Sequence, residues 1–70
     1  MITTELIAQE PMLRFFRFEH LPPSLQSTSK PLAEHAVHAV ETLPRCAERT
    51  AGLRKLLEAK DCFVRAAIEE

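Results

Sequence analysis

Apolar residues recur at helical spacing in two stretches of this chain. In the middle of the sequence they are separated by four, four and three positions: Leu32, Ala36, Val40 and Leu43. This spacing places side chains on one face of an α-helix. A second apolar stripe lies in the C-terminal third and consists of Leu53, Leu56, Leu57, the aliphatic stem of Lys60, Phe63, Val64 and Ala67. The pattern predicts two amphipathic helices, the first ending at Leu43-Pro44 and the second running from about Ala47 to Glu70.

Hydroxyl residues and prolines indicate where the first of these helices begins. The Ser-Thr-Ser run at 27–29 offers N-cap side chains, and Pro31 suits a first turn, which would place Lys30 at the helix start. The Leu-Pro-Pro-Ser run at 21–24 disfavours helical backbone. Upstream of it, residues 1–20 carry only a weak apolar stripe, which predicts a short helix or an arm.

The two long helices are predicted to pack as an antiparallel hairpin, because the link around Pro44-Arg45-Cys46 is short. The expected fold is therefore all-α, with an N-terminal helix or arm ending in the Pro-Pro turn (1–28) and an αα-hairpin (29–70) in a single domain. Two helices cannot enclose a core of their own, and a 70-residue monomer is marginal. These features predict a homo-oligomer, most simply a two-fold dimer.

Composition and charge restrict the partners. The net charge is −1, so the molecule as a whole does not attract DNA, RNA or an anionic membrane, and any anionic ligand must be bound by a local cluster. No apolar run approaches ~18 residues and no signal peptide is recognisable, which favours a cytoplasmic protein. Cys46 and Cys62 are expected to be free thiols, since 16 residues of continuous helix would separate them too far for a disulfide.

The order of short motifs along the chain is distinctive. An arm with the run Phe18-Glu19-His20-Leu21-Pro22-Pro23, followed by Gln26, precedes an Ala- and Val-rich helix that ends at Leu43-Pro44. After the turn come a Leu- and Glu-rich run from Glu48 to Asp61 and the closing run Val64-Arg65-Ala66-Ala67. Over residues 15–68 this order resembles the small phage proteins that share the hairpin domain of the anti-CBASS and Thoeris anti-defence sponges.

The resemblance implies a non-catalytic role that needs no cofactor. Such proteins bind cyclic di- or trinucleotides, or cyclic ADP-ribose isomers, in the cytoplasm of the bacterial host and sequester these immune messengers without cleaving them. They assemble as oligomers, often hexamers, with pockets between protomers. This chain departs from that pattern because it has no Tyr, so Phe18 or His20 would have to stack on the bases.

A cyclic nucleotide presents phosphates, which need cations, and flat bases, which need aromatic or apolar faces. Arginine suits phosphate because its planar guanidinium donates two parallel hydrogen bonds. Basic and aromatic side chains are interleaved in the arm, where the candidates are Arg17, Phe18, His20 and Lys30. At the predicted helix start, free N–H groups and the helix dipole would help Lys30 to bind an anion. The simpler interpretation packs the phenylalanines on the hairpin and leaves the arginines in solvent.

The predicted C-terminal helix adds a charged strip with spacings of four, three and four: Arg54, Glu58, Asp61 and Arg65. In the functional interpretation, Arg54, Lys55 or Arg65 reaches phosphates beside a neighbouring protomer's arm. Glu58 or Asp61 would then orient those cations or accept from a base amino group. In the simpler interpretation the strip is a solvated face whose i,i+4 pairs contribute ~0.2–0.5 kcal/mol each.

Other functions fit the sequence less well. His35 and His38 lie three residues apart, but no third ligand is marked by spacing, so a metal site is not expected. Cys46 has no histidine fixed beside it by sequence, and an enzyme is not expected. Binding to a nucleic-acid polymer is disfavoured by a pI of about 6.3. The main alternative is a small dimeric interaction module that inhibits a host protein.

Overall fold

The chain is all-helical in the computed structural model, which describes residues 2–69. These residues form the α-helices α1 (Thr4–Gln9), α2 (Pro23–Thr42) and α3 (Ala47–Ile68), with a 3₁₀ helix, η1 (Pro11–Phe16), between the first two. Residues 43–46 turn the chain back so that α2 and α3 pack against each other along their length. The predicted all-α hairpin with a short N-terminal helix is confirmed. Met1 and Glu70, the outer ends of the predicted segments, lie outside the described residues.

The short N-terminal helices are defined by local signals. The Thr3 hydroxyl accepts a hydrogen bond from the Leu6 N–H at 3.2 Å and caps α1. Glu10 ends α1 with extended backbone (φ −146°, ψ 94°), as expected for the residue before a proline. Pro11 then occupies the first turn of η1, where its missing N–H leaves no hydrogen bond unmade.

The start of α2 differs from the sequence prediction. The helix begins at Pro23, with Pro22 as its N-cap, and Pro31 lies inside it instead of in its first turn. An interior proline removes one backbone hydrogen bond and is costly. The helix nevertheless continues because its buried face extends upstream of the proline: Ser29 is 1% exposed, on the same face as the buried Ala33. Tertiary packing here outweighs the local signal for a later start.

The core lies between the hairpin and the arm. Its largest fully buried apolar side chains are Leu13 and Phe16 from η1 and Leu53 from α3, packed with Ala33 and Ala36 of α2. The arm thus supplies the third wall that two helices lack, within a single copy of the chain. The assumption that only a second copy could enclose the core is therefore wrong, although self-association itself stays a prediction.

Burial along α3 is uneven. Its buried residues, Arg49 and Leu53, both lie in its first half. The next members of the predicted stripe are half-buried, whereas Phe63 is 53% exposed and Ala67 is also exposed. The stripe is therefore confirmed at its start and becomes an open surface toward the C-terminus.

Candidate functional site

A buried ion pair at the link end of the hairpin, the end formed by residues 43–46, fixes the arm to both long helices. Arg49 Nη2 donates to Glu10 Oε1 at 3.0 Å, and the two side chains are only 6% and 9% exposed. Arg49 Nη1 donates to the carbonyl oxygens of Val40 and Leu43 at 3.3 and 3.1 Å, at the C-terminus of α2. The two charges are tolerated in the interior because each satisfies the other. This pair positions the arm on which the candidate ligand-binding residues lie.

The sequence analysis missed this pair. Glu10 and Arg49 are 39 residues apart, and each looks like an ordinary surface charge in a helical pattern. Arg45 reinforces the same junction, since its Nη1 donates to the Gln9 carbonyl oxygen at 3.3 Å. No short-range pattern in the sequence could have indicated these contacts, because they depend on how the arm folds back.

His20 lies in a turn that is held by one side chain of α2. Gln26 Nε2 donates to the carbonyl oxygens of Leu21 at 2.7 Å and Glu19 at 3.3 Å. The Glu19 carboxylate accepts from the Phe18 N–H at 3.3 Å. Hydrogen bonding to the backbone N–H of Glu19 itself, aided by that of Phe18, lowers the pKa of this carboxyl. His20 is exposed in this hydrogen-bonded turn.

The aromatic residues of the arm divide into packed and exposed groups. Phe16 and Phe18 are buried, at 1% and 8% exposure, so in this structure the Phe18 ring is part of the core and not available for base stacking. Phe15 is 49% exposed, and the Arg14 guanidinium lies 4.7 Å from its ring centroid. The exposed phenylalanine ring of the arm is therefore Phe15, which was not among the candidate ligand-binding residues, and Arg17 is exposed two residues later.

Lys30 is exposed but does not lie at a helix start. It occupies the interior of α2, eight positions along a helix that begins at Pro23. The free N–H groups and dipole of a helix N-terminus are confined to the first turn, so this part of the prediction for Lys30 is wrong. Its ammonium group remains available as a point charge on the N-terminal half of α2.

The charged strip of α3 is mostly exposed, with Asp61 half-buried. In the part of the chain that the structure describes, the ion pairs within 4.0 Å are Arg49–Glu10 and Lys60–Asp61, the latter at 2.9 Å. The i,i+4 pairs expected along the strip are thus not formed. On α3, three exposed cations consequently carry no carboxylate partner among residues 2–69: Arg54, Lys55 and Arg65. The same is true of the exposed cations outside α3: Arg14, Arg17, Lys30 and Arg45.

The hairpin brings part of the predicted set together. Because α2 and α3 run in opposite directions, the C-terminal half of α3 lies along the N-terminal half of α2. Arg65 and Asp61 therefore share one end of the molecule with Lys30 and with the turn that carries His20. Arg54, Lys55 and Glu58 lie farther along α3, toward its middle.

An apolar groove of about 410 Å³ opens near the link end, between α2 and α3. Ala39 and Leu43 form one wall, and Gly52, Leu53 and Leu56 form the other. A Cβ atom added to Gly52 would meet nothing within 4 Å, so the groove is open at this point. The sequence analysis did not predict a groove, because Gly52 was considered only as a weakness in the helix.

The remaining candidates are the histidines and cysteines that were considered for metal binding or nucleophilic catalysis. Among residues 2–69, no three His, Cys, Asp or Glu side chains converge as they would around a metal ion. His35 and His38 have ring centroids 6.5 Å apart and are both exposed. Cys46 and Cys62 are exposed free thiols.

Over the same described range, no helix combines the length and apolarity needed to cross a membrane. No known protein family, curated protein or solved structure matches this chain.

Proposed function

We propose that this protein sequesters a cyclic nucleotide immune messenger, a cyclic di- or trinucleotide or a cyclic ADP-ribose isomer, without cleaving it. In this proposal it is a phage-type sponge that acts in the cytoplasm of a bacterial host and blocks anti-phage signalling. The proposal follows from the family that the motifs at 15–68 resemble. It draws its structural support from one observation: three exposed cations of α3 have no carboxylate partner among the described residues.

Unpaired cations matter here because the chain carries a net charge of −1. A surface arginine that is already paired offers less to a phosphate, since binding would first have to break the pair. Arg54, Lys55 and Arg65 form no ion pair with a carboxylate among residues 2–69, although Arg65 Nη2 donates to Cys62 Sγ at 3.4 Å. Their Coulomb attraction for a dianionic or trianionic ring would be strongest in a cleft that excludes water.

The arm supplies the second requirement, a surface for the bases. Phe15 is half-exposed and Arg14 covers one side of its ring, while His20 is presented by the turn that Gln26 fixes. Aromatic stacking contributes ~1–3 kcal/mol per base. Phe18 could join only if its ring left the core, and we therefore assign stacking first to His20 and Phe15.

A single protomer does not enclose a messenger, because the arm surface and the α3 cations lie on an open exterior. The proposed functional form is therefore a homo-oligomer, a hexamer by the resemblance, in which the arm of one protomer faces the α3 cations of its neighbour. Glu58 and Asp61 would orient the cations or accept from a base amino group. Such a site binds and excludes solvent but presents no group positioned to attack a phosphodiester.

The test is a thermal-shift series with cyclic di- and trinucleotides and cyclic ADP-ribose isomers. A ligand at 100 times its Kd stabilises the folded state by ~2.7 kcal/mol, which for a domain of this size raises Tm by roughly 10 °C or more. The captured ligand should be recovered intact after denaturation. Recovery of a hydrolysed product would instead identify an enzyme.

Two variants locate the site. His20→Ala and Arg54→Glu should each abolish the ligand-induced shift without changing the oligomeric state. Arg45→Gln is the matched control, since Arg45 is also an exposed cation but donates to the Gln9 carbonyl at the link end. Full ligand binding by both site variants would remove these residues from the pocket.

The alternative, a small dimeric module that inhibits a host protein, is favoured by the apolar groove at the link end. It predicts no thermal shift with any messenger, and loss of host-protein binding when the groove is filled.

A further inference from the structure

Helix α3 carries an apolar seam that the hairpin leaves uncovered. Its members are separated by four, three, four and three positions: Gly52, Leu56, Ala59, Phe63 and Ala66. A spacing that averages 3.5 residues keeps side chains on one face and is the pattern through which two helices pack side by side. Gly52, Phe63 and Ala66 are exposed, and the other two are half-buried. The seam is a continuation of the groove, because Gly52 and Leu56 belong to both.

The groove and the exposed ring of Phe63 cannot satisfy each other within one protomer. Gly52 and Phe63 are 11 residues apart on a continuous helix, which separates them by about 16 Å. The groove is nevertheless large enough for a phenyl ring at about 410 Å³, and the space beside Gly52 is free of other atoms to 4 Å. An open apolar groove and an unpartnered ring of matching size thus lie at opposite ends of the same seam.

We infer that two copies of this chain pair through antiparallel α3 helices, with Phe63 of each copy inserted beside the partner's Gly52. In this register Leu56 faces the partner's Ala59. Each layer between Gly52 and Phe63 then joins one large residue to one small one, and the two-fold axis repeats each layer in reverse. Ala66 lies beyond these layers. The groove is thereby completed by the second copy.

The match between large and small side chains favours this register over registers that are shifted along the helix. A shift by one heptad would place Phe63 opposite the partner's Ala59 and leave both grooves empty. The seam residues carry no charge, so no like charges oppose one another in the layers. The charged strip that contains Arg54 and Arg65 lies on the opposite side of α3, at roughly 180–240° from Gly52 on a helical projection, and it stays free in the pair.

The expected pair is weak by the standards of permanent dimers. The seam spans 15 residues, so its ends are about 21 Å apart along the helix; it covers on the order of 400 Å² per copy, to which the α2 wall of the groove adds. Stable specific interfaces bury about 800 Å² per partner, so a dissociation constant in the micromolar range is expected. The inference deepens the proposed self-association and does not depend on the identity of any ligand.

The first experiment exchanges the sizes of the two seam residues, with sedimentation equilibrium as the measurement. Gly52→Phe fills the groove and Phe63→Ala removes its occupant, so each should weaken dimerisation at least about tenfold. The double variant restores a large residue opposite a small one and should recover dimerisation. Circular dichroism checks that each variant remains helical.

Matched controls lie on the same helix. Ala51→Phe adds a ring at an exposed position outside the seam, and Ile68→Ala removes an exposed apolar side chain outside it. Both should dimerise like the parent chain. Dimerisation of both single seam variants at the parental strength, or failure of the double variant to recover, would overturn the proposal. A parent chain that stays monomeric at about 100 μM would do the same.

Disulfide trapping tests the register directly. In the proposed pair, Cys62 lies close to the partner's Lys55 and about 13 Å along the axis from the partner's Cys62. In a Cys46→Ser background, Lys55→Cys should therefore form an intermolecular disulfide on mild oxidation. A Cys62–Cys62 crosslink without that substitution would show the shifted register and contradict the proposal. Both measurements are made without a messenger, so a negative result here leaves ligand binding to be decided by the thermal-shift series.

Discussion

The two ends of the hairpin differ in how they are stabilised. At the link end, η1 covers the two long helices, Leu13 and Leu53 are almost fully buried, and the Glu10–Arg49 pair is sealed inside. At the open end, formed by the N-terminal half of α2 and the C-terminal half of α3, large side chains such as Phe63 and Ile68 are more than half exposed. Leu43 at the link end is also 52% exposed, so the two ends differ in whether the arm closes a core over them and not in the presence of exposed apolar side chains.

The difference between the two ends suggests that one region stabilises the fold and another is available for binding. Apolar burial is the main favourable contribution to folding, so the link end holds the fold together. Soluble monomers rarely expose large contiguous apolar patches, and such patches usually mark sites where a partner binds. We therefore expect any partner to bind at the open end or at the charged face of α3, where binding would not disturb the core.

The largest expected effect follows from truncating the core at the link end. Phe16→Ala should lower the free energy of unfolding by about 3–5 kcal/mol, because it leaves a cavity where a fully buried ring packed. A chain of this length has roughly 3–10 kcal/mol in total, so much of the population would unfold. Urea denaturation of dilute protein measures this loss in the free energy of unfolding. Phe63→Ala, at the open end, should cost less than about 1 kcal/mol in the same assay, and equal losses would refute the contrast.

The second effect concerns the buried ion pair. Arg49→Met should destabilise the fold by about 3–5 kcal/mol, because the Glu10 carboxylate stays buried without a partner and two carbonyl oxygens of α2 lose their donor. Adding Glu10→Gln removes the uncompensated charge and should recover part of the loss. Thermal unfolding of the single and double variants is the measurement. A single variant as stable as the parent chain would show that the pair is dispensable.

A smaller effect is expected at the turn that presents His20. Gln26→Ala removes two side-chain hydrogen bonds to the carbonyls of Glu19 and Leu21 and should cost about 1 kcal/mol. Amide hydrogen exchange should accelerate in the turn while the protection of Leu53 at the link end stays unchanged. Ser27→Ala, which removes a local bond to the Ser24 carbonyl, is the control. Unchanged exchange in the turn would show that Gln26 does not order it.

The smallest expected effect is a gain in stability. Gly52→Ala should raise the free energy of unfolding by about 0.5–1 kcal/mol, since Gly52 is helical and exposed and a Cβ there meets no atom within 4 Å. Urea denaturation at a protein concentration too low for self-association measures this change in the free energy of unfolding of the monomer. A loss of stability would mean that the groove beside Gly52 is filled in the folded monomer.

Local sequence signals predicted the two long helices and their order, but not the start of α2 at Pro23 or the 3₁₀ helix η1. Periodic apolar residues and the short link predicted the hairpin, and the predicted start of α3 at Ala47 coincides with the observed one. These features are local, because a helix is specified by residues three and four positions apart. The separation of Cys46 and Cys62 followed from the same helical geometry.

The candidate site was predictable only in part. Arg17, His20 and the α3 cations were named from residue type and spacing and are exposed, whereas the sequence left open which phenylalanines pack, and it is Phe18 that is buried and Phe15 that is exposed. Interleaved aromatic residues carry no periodic signal in a 3₁₀ segment of six residues, so which rings face inward depends on how the arm packs.

Three features depend on contacts between segments far apart in the chain: the arm closes the core, α2 extends upstream through Pro31, and Glu10 meets Arg49 across 39 residues. Removing a large buried apolar side chain costs several kcal/mol, which is more than the differences in helix propensity among ordinary residues. Once the arm has folded back, Glu10 and Arg49 pair because either charge would be costly to bury alone.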